Sequence, residues 1–592
     1  MPADGEATPI TSSENDETER QPSANSADYT ELISQLSGAD LTLATGTTDV
    51  DSGAAFAFDP DADSETVFPQ SVASGDPSPT GVVIWTRLEP ARHDTDDPLA
   101  VQVAHDEAFE DPVYRAVIED REAVQAHDHT VKLDLDGVLA PGETYYYRFV
   151  HDGVASQTGR CRTLPAPDAS PDSVSFAVLT CQNYQNGYFS AYDYIAEEDV
   201  DFIVHVGDFI YEGGGTEFCG PGSPDLPDRQ FELPSGHDRV RTLEDYRYLY
   251  RKYRTDPHLQ KAMERHTLIP AWDDHEIAND VYWDDAVDAP KADHPRGDDP
   301  AFMTRLLADA IHAWWEYMPS RIEYDPDADS LQDRFTMWRE FGFGDLVDVI
   351  MTDERLFRDG PREGLAPLKH AVHPDREDED RSMLGDAQRE WFLDAVENAD
   401  AKWTCWTDEV LTIPLKLGAG PLTVFPMQEG WDGYTRERRY ITERIAEMDV
   451  ENFVTLTGDM HSYVAGYKQT EYGGPIAGPA PKESRVGVEF MTPAITSLNV
   501  AEALGANGGL VGRLTEPFLT KTVTWMNPHI EFINSHRWGY SVVEFTREDC
   551  TYTAYSVDKL DNSPGADREV VVAYRVPDGE VELQDVTGLY RE

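Results

Sequence analysis

The sequence predicts a layered α/β domain preceded by an all-β sandwich of the fibronectin/Ig-like kind. Three observations predict it. Short alternating runs rich in aromatic and β-branched residues fill 65–168, and a proline-rich linker follows. From residue 172 onward, apolar strand-like runs alternate with amphipathic helical ones. Several of the later strands also end on side chains that bind metals or phosphate, and in an open α/β sheet ligands collect outside the carboxyl ends of the strands.

Taken in chain order, residues 1–64 are acidic, rich in Ser, Thr, Asp and Gly and poor in apolar clusters, and are expected to be disordered. "GVVIWTRL", "LAVQVAHD", "HTVKLDLDG" and "TYYYRFVHDG" read as strands, and "LAPGETYYYRF" sets a Pro-Gly turn before the last of them. "CRTLPAPDASPDS" carries three prolines within seven residues and reads as the linker. The expected catalytic domain, 172–592, has strands at 175–180, 201–207, 267–272, 345–352, 402–412, 452–458 and 486–492, with further strands at 539–546 and 568–576. Helices are expected in "LEDYRYLYRKYRTDPHLQKAMER", in "DPAFMTRLLADAIHAWWEYMP", and in "GDAQREWFLDAVENAD" with Ala387, Trp391 and Ala395, and Trp391, Phe392 and Val396, on one face.

At 592 residues the chain is too long for one typical core. Lys+Arg is 48 and Asp+Glu is 112, so 48 − 112 = −64, and the acids are spread along the chain. That balance argues against a basic nucleic-acid-binding patch and against anchoring to an anionic membrane. It predicts a solvated acidic surface of the halophile kind, screened by high salt; a calcium-storage surface is the alternative. Five cysteines, 161, 181, 219, 405 and 550, are odd in number and widely spaced, so no disulfide framework and no structural zinc knuckle is expected. No apolar run of about 18 residues exists, so no transmembrane segment is expected, and the first residues lack the charged and apolar regions of a secretory signal.

The chemistry concentrates at strand ends. "HVGDFIYE" places Asp208 after an apolar strand and Tyr211 three residues on; the carboxylate can bridge two cations, and the phenolate suits a hard, redox-active ion such as ferric iron. Cys181 ends "SFAVLT" beside Gln182 and Asn183. A free cysteine is commonly a buried small hydrophobe, but its place at a strand end makes it a candidate ligand. "WDDHEIAND" joins Asp273, Asp274 and His275, consecutive acids that repel unless a cation or an arginine lies between them. "GDMHSY" sets Asp459 and His461 two apart, on one side if the strand continues. Asp353, Arg355 and Arg358 follow another buried strand, and arginine matches phosphate oxygens. His529, Asn534 and Arg537 are polar groups in an apolar frame.

Together these segments resemble the PhoD-like alkaline phosphatases of the metallophosphoesterase superfamily. The resemblance covers about 65–546, from "FPQSVASGDPSPTGVVIWTRLEP" through "HVGDFIYE", "WDDHEIAND", "AWWEYMP" and "GDMHSY" to "NPHIEFINSHRWGY". It implies two packed sheets flanked by helices and a mixed centre of Fe3+ and Ca2+. Cys181, Asp208, Tyr211 and His461 are implied to hold the iron, and Asp208, Asp274 and Asp459 the calcium. The family's asparagine before its "EYMP"-like end matches Asp309 here, which adds negative charge to a calcium site. For the chemistry, Arg355 and His275 are the candidate catalytic groups that stabilise the developing phosphoryl charge, His275 alternatively as the proton donor to the leaving oxygen. Asn183, Arg358, His529 and Arg537 are implied as substrate contacts, although Trp538 beside Arg537 departs from the family pattern. The family is usually exported through a twin-arginine signal; none stands near residue 1, and localisation is not legible.

The expected activity is metal-dependent hydrolysis of a phosphate ester, diesters and monoesters being unranked. Two alternatives belong beside it: a non-catalytic metal-stabilised surface or adhesion module, and the same fold with a di-zinc or di-manganese centre (Zn2+ or Mn2+). Cysteine favours iron or zinc over manganese. Oligomeric state is not legible.

Overall fold

A computed structural model of the chain describes residues 55–591 apart from 94–95, 119–120, 216, 361–375, 379 and 508. Most of the acidic segment expected at 1–64 therefore lies outside the described residues. Two large sheets dominate, one of ten strands and one of seven. In the first, Ser173–Leu179, Phe202–Val206 and Thr267–Ala271 run parallel side by side. In the second, Val347–Met351, Trp403–Thr407, Phe453–Thr457 and Arg485–Met491 do the same. Phe202–Val206, Thr267–Ala271, Trp403–Thr407 and Phe453–Thr457 are buried at every position, which is why they read as continuous apolar runs.

The sheets pack face to face. Phe176, Val204 and Ile269 of one share a core with Val349, Cys405, Leu456 and Phe490 of the other. Each such side chain contributes about 1.5–3 kcal/mol by leaving water. Because both sets of parallel strands contribute carboxyl ends to one centre, strand-end turns from the two sheets meet there.

The β-rich N-terminal region is present, and its layering is informative. Leu99–Ala104, Pro112–Ile118, Thr144–His151, Val154–Ala155 and Gly159–Arg162 form a five-stranded sheet. Its Val101, Val103 and Tyr147 share a core with Val82, Ile84 and Val131. Those last residues belong to strands that extend the ten-stranded sheet, through Val72–Ser78 pairing in parallel with Thr267–Ala271. One layer of the N-terminal region is thus continuous with the sheet that carries the centre.

Two helical expectations need correction. The run from 243 to 265 is two helices, Leu243–Tyr253 and Pro257–Arg265. Pro257 disfavours helical geometry at Asp256, whose carboxylate instead caps the second helix through the N–H of His258 at 3.0 Å. Helix Gly385–Glu397 buries Phe392, Ala395 and Val396 of the expected face, but in its first turn Gln388 is buried where Ala387 was expected, Ala387 is exposed, and Trp391 is half-buried. Pro300–Tyr317 forms as expected, capped by Asp299. Among the described residues, no helix is long and apolar enough to cross a membrane.

Candidate metal centre

Three of the turns that feed the centre are sharp. Cys181, Asp208, Asp459 and His461 all adopt left-handed backbone, with φ of 57°, 61°, 62° and 52°. Non-glycine residues rarely take this conformation, and strain of this kind gathers at functional sites. It folds each side chain back over the end of its own strand. Two glycines permit the approach of the turns. A Cβ on Gly207 would stand 2.4 Å from Cβ of Asp273, and one on Gly458 would stand 2.7 Å from Oγ1 of Thr180. Gly458 therefore lets the end of Phe453–Thr457 meet the end of Ser173–Leu179 from the opposite sheet.

The donors that result are mixed. Ligand atoms of Cys181, Asp208 and His461 lie within 4.8 Å of one another, as do those of Asp208, Asp274 and His275, and those of Asp273, Asp274 and Asp459. The Tyr211 hydroxyl donates to Oδ2 of Asp208 at 2.8 Å and lies 3.2 Å from Nε2 of His461. The carbonyl of Leu498 holds Nδ1 of His461 at 2.6 Å, which turns Nε2 toward the centre.

The electrostatics favour cations. Burial, then Asp208, push the Cys181 thiol and the Tyr211 phenol well above their ordinary ranges. Neither ionises readily without a positive ion beside it. Burial raises Asp208 to about 7, and burial lowers His461, leaving a neutral imidazole suited to ligation. Burial would also lower His275, but Asp208, Glu212 and Asp274 outweigh it and raise it well above the usual imidazole value. Burial pushes Asp274 upward, yet Arg355 and His275 hold it below the ordinary carboxylate range. Two buried atoms here, Oδ2 of Asp273 and Nη1 of Arg355, have no hydrogen-bond partner. Thiol, phenol, imidazole and carboxylates around orphaned polar atoms fit a centre of more than one metal ion, with Asp208 shared between clusters.

The structure brings together Cys181, Asp208, Tyr211, Asp274, His275, Asp459 and His461 of the residues expected from sequence. Arg355 is there too, fully buried, paired with Asp273 through Nε and with Asp459 at 2.8 Å through Nη2. Only its Nη1 is uncommitted to a hydrogen bond, 3.9 Å from Oδ2 of Asp274. Arg358 lies at the rim, held by the carbonyls of Val281 and Glu429. Asn183 spends its side chain capping the turn at Gln185.

Three expected residues stand elsewhere. Asp309 is on Pro300–Tyr317 among Arg305, His312 and Arg247. His529 bonds the carbonyl of Pro414 at 2.8 Å and packs its ring on Tyr472. Arg537 pairs with Glu516 and Glu569 at a separate groove. Each sits in a motif near the centre in sequence whose backbone carries it away.

Other residues of the centre were not anticipated. Glu276 accepts from the backbone N–H groups of Asp208 at 3.0 Å and Asp273 at 2.7 Å, tying two strand-end turns together. Glu212 holds Nδ1 of His275 at 2.6 Å and is itself paired with Arg239 at 2.7 Å. Asp280 donates its N–H to Asp274 at 2.6 Å, and burial, then Asp274, raise its own carboxyl. Burial, then Asp280, raise Glu429 to about 8. Glu212, Glu276 and Asp280 lie inside the quoted motifs, so proximity to them was the available signal; Glu429 has no such signal.

Two packed sheets with acids, a thiol and imidazoles gathered at the strand ends define a phosphoesterase of the metal-dependent class. The pattern of the family described as PhoD-like phosphatase matches residues 176–554, and that of its N-terminal domain matches 53–165. The chain belongs to the PhoD-like phosphatase family. It is 30% identical over 483 residues to alkaline phosphatase D of Bacillus subtilis (strain 168), covering 80% of this chain and 74% of that protein. A solved structure of PhoD superposes with a TM-score of 0.73 at 27% identity, covering 89% of this chain and 93% of the other.

Proposed function

We propose that this phosphoesterase cleaves phosphodiesters, with monoesters as further substrates, at a centre of one Fe3+ with Ca2+. The observation that carries the reading is the donor asymmetry: thiol, phenol and the His461 imidazole gather on one side of Asp208, and on the other stand the carboxylates of Asp273, Asp274 and Asp459, with His275 beside them and no thiol or phenol. The soft and redox-tolerant set suits iron, the oxygen set calcium. Cys181, Asp208, Tyr211 and His461 would hold the first ion, and Asp208, Asp274 and Asp459 the second. When bound, such ions supply positive charge toward phosphoryl oxygens and lower the pKa of a water.

The chain's own residues do the rest. Glu212 fixes His275 by its Nδ1, so Nε2 is the atom that faces substrate and can deliver a proton to the leaving oxygen. Arg355 holds Asp273 and Asp459 in place and offers Nη1 to charge that develops on phosphorus. Trp272 and Phe209, both fully buried, seal the inner side of the strand-end turns against water.

The test compares bis-p-nitrophenyl phosphate with p-nitrophenyl phosphate in high salt, before and after chelation, with elemental analysis of the same sample. Diester cleavage lost on chelation, with iron and calcium present, supports the proposal. Equal or greater activity in a sample that holds only zinc or manganese would replace the metal assignment.

A further inference from the structure

A second group of nitrogen and oxygen donors lies on the far side of helix Pro300–Tyr317. His312 and Glu316 stand four apart on one face of that helix. His127 comes from the N-terminal β-rich region, just after the helix Arg121–Ala126. Three atoms close a triangle. Nε2 of His312 is 2.9 Å from Oε1 of Glu316, Nδ1 of His127 is 3.1 Å from the same oxygen, and the two nitrogens are 3.4 Å apart. Zinc with tetrahedral bonds of about 2.0–2.1 Å sets neighbouring donors about 3.3 Å apart.

The surroundings fix these donors. Glu316 is fully buried, and Nε of Arg247 holds its Oε2 at 2.7 Å while Nη2 reaches Oε1. An outer partner of this kind orients a ligating carboxylate. His127 lies edge-on to Trp315 at 5.5 Å, and His312 stacks on Tyr324 at 5.4 Å. The other facing charges are Lys132, whose Nζ bonds the carbonyl of Trp315 at 2.8 Å, and Asp128, paired with Arg87 and Arg251. Lys132 opposes a cation least where it is neutral, and burial brings its ammonium down to about 7. The His312 side chain is 25% exposed, which leaves a solvent-facing side for a fourth donor.

We propose that His127, His312 and Glu316 form a second metal site, separate from the phosphoesterase centre, that binds Zn2+ with water as fourth ligand. Two imidazoles and one carboxylate with an open position are a zinc donor set, and the site would pin the N-terminal region to a helix of the catalytic domain. It does not depend on the metals assigned to the phosphoesterase centre.

The experiment counts metal without measuring turnover. A full-length His461→Ala protein, stripped by chelator and shown folded by circular dichroism, is dialysed against Zn2+ or Co2+. The expected result is that one tightly held equivalent is lost on adding His312→Ala and restored by His312→Cys, with tetrahedral Co2+ absorption in the visible that disappears with it and a rise in melting temperature on loading. Should His461→Ala not fold, the same difference of one equivalent is read between the unaltered protein and His312→Ala. Metal content indifferent to His312→Ala, or no change between loaded and stripped samples, overturns the proposal.

Discussion

Two buried acid clusters sit almost back to back in this molecule, one residue apart in sequence. Arg355 organises Asp273 and Asp459 of the phosphoesterase centre. Its neighbour Glu354 belongs to a second group, with Asp408 and Glu409, whose carboxylate oxygens also lie within 4.8 Å of one another. The second group contains no thiol or imidazole. Its acids are held partly by local bonds: Glu354 and Glu409 accept each other's backbone N–H at 3.2 and 3.0 Å through Oε2, and Asp408 accepts from Trp431 at 2.8 Å, while Oε1 of Glu354 and of Glu409 have no hydrogen-bond partner, like Oδ2 of Asp273 in the first group. All three are 1% exposed or less, whereas Asp459 and His461 reach toward solvent. None of the three is in left-handed backbone, as four ligand candidates of the centre are. Acid density and orphaned carboxylate oxygens are therefore common to both, and what distinguishes the candidate metal centre is donor variety, access and strained turns that aim the side chains.

The sharpest way to break this contrast is at Asp208. Asp208→Ala is expected to abolish phosphoesterase activity and to remove metal, a loss well beyond the ~10–100-fold typical of an outer partner. Glu354→Gln, in the other cluster, is expected to leave both unchanged. Elemental analysis and steady-state kinetics on the two variants check it; loss of metal from Glu354→Gln would mean the clusters are one site.

A smaller effect is expected at Glu212, which positions His275 without belonging to either cluster. Glu212→Gln is predicted to cost ~10–100-fold in kcat. Metal content should be retained, and the alkaline limb of the pH–rate profile should move to lower pH, because the proton-donating imidazole loses a raising partner. An unchanged profile would leave Glu212 a merely structural residue.

Third, chelation is expected to lower the melting temperature of the unaltered protein, because ligands from both sheets are tied by bound ions. Glu354→Gln should show the same drop, and Asp208→Ala little of it. Differential scanning calorimetry with and without chelator separates the cases.

The smallest effect concerns pH. Burial raises Asp408 to about 8 from an ordinary 3.8, and burial also raises Glu354 well above its usual value. An acid raised in the folded state binds more protons folded than unfolded between those two values, so its stabilisation is complete below about pH 4 and is lost as pH rises through about 8. Glu354→Gln is expected to flatten that decline. Melting temperatures across this range at constant high salt check it, since salt screens the repulsion of a chain with net charge −64.

The sequence made the strands legible where they were fully buried: Phe202–Val206 and Phe453–Thr457 fall where apolar runs placed them. It hid the continuity of the N-terminal region with the ten-stranded sheet, because no local pattern encodes the pairing of Gly75 with Leu268 across the linker. At the centre, residues that follow an apolar run directly were readable, since strand direction alone aims them. Asp309, His529 and Arg537 misled because motif membership says nothing of which side of an element a residue takes. Glu276 and Glu429 escaped because their contribution is made through backbone N–H groups and neighbouring acids, which only three-dimensional proximity reveals.

The close approach at Gly458 also sets an order of events. Cys181 and His461 are 280 positions apart (461 − 181), and they meet only after the two sheets have closed on each other. A ribosome must have released most of the chain before any complete ligand set exists, and contacts this distant form late. Ions that arrive earlier meet a thiol and isolated carboxylates with no shared geometry. Loading is thus expected as a closing step of maturation, so the composition of the compartment in which the sheets finally join would decide which metals the enzyme carries.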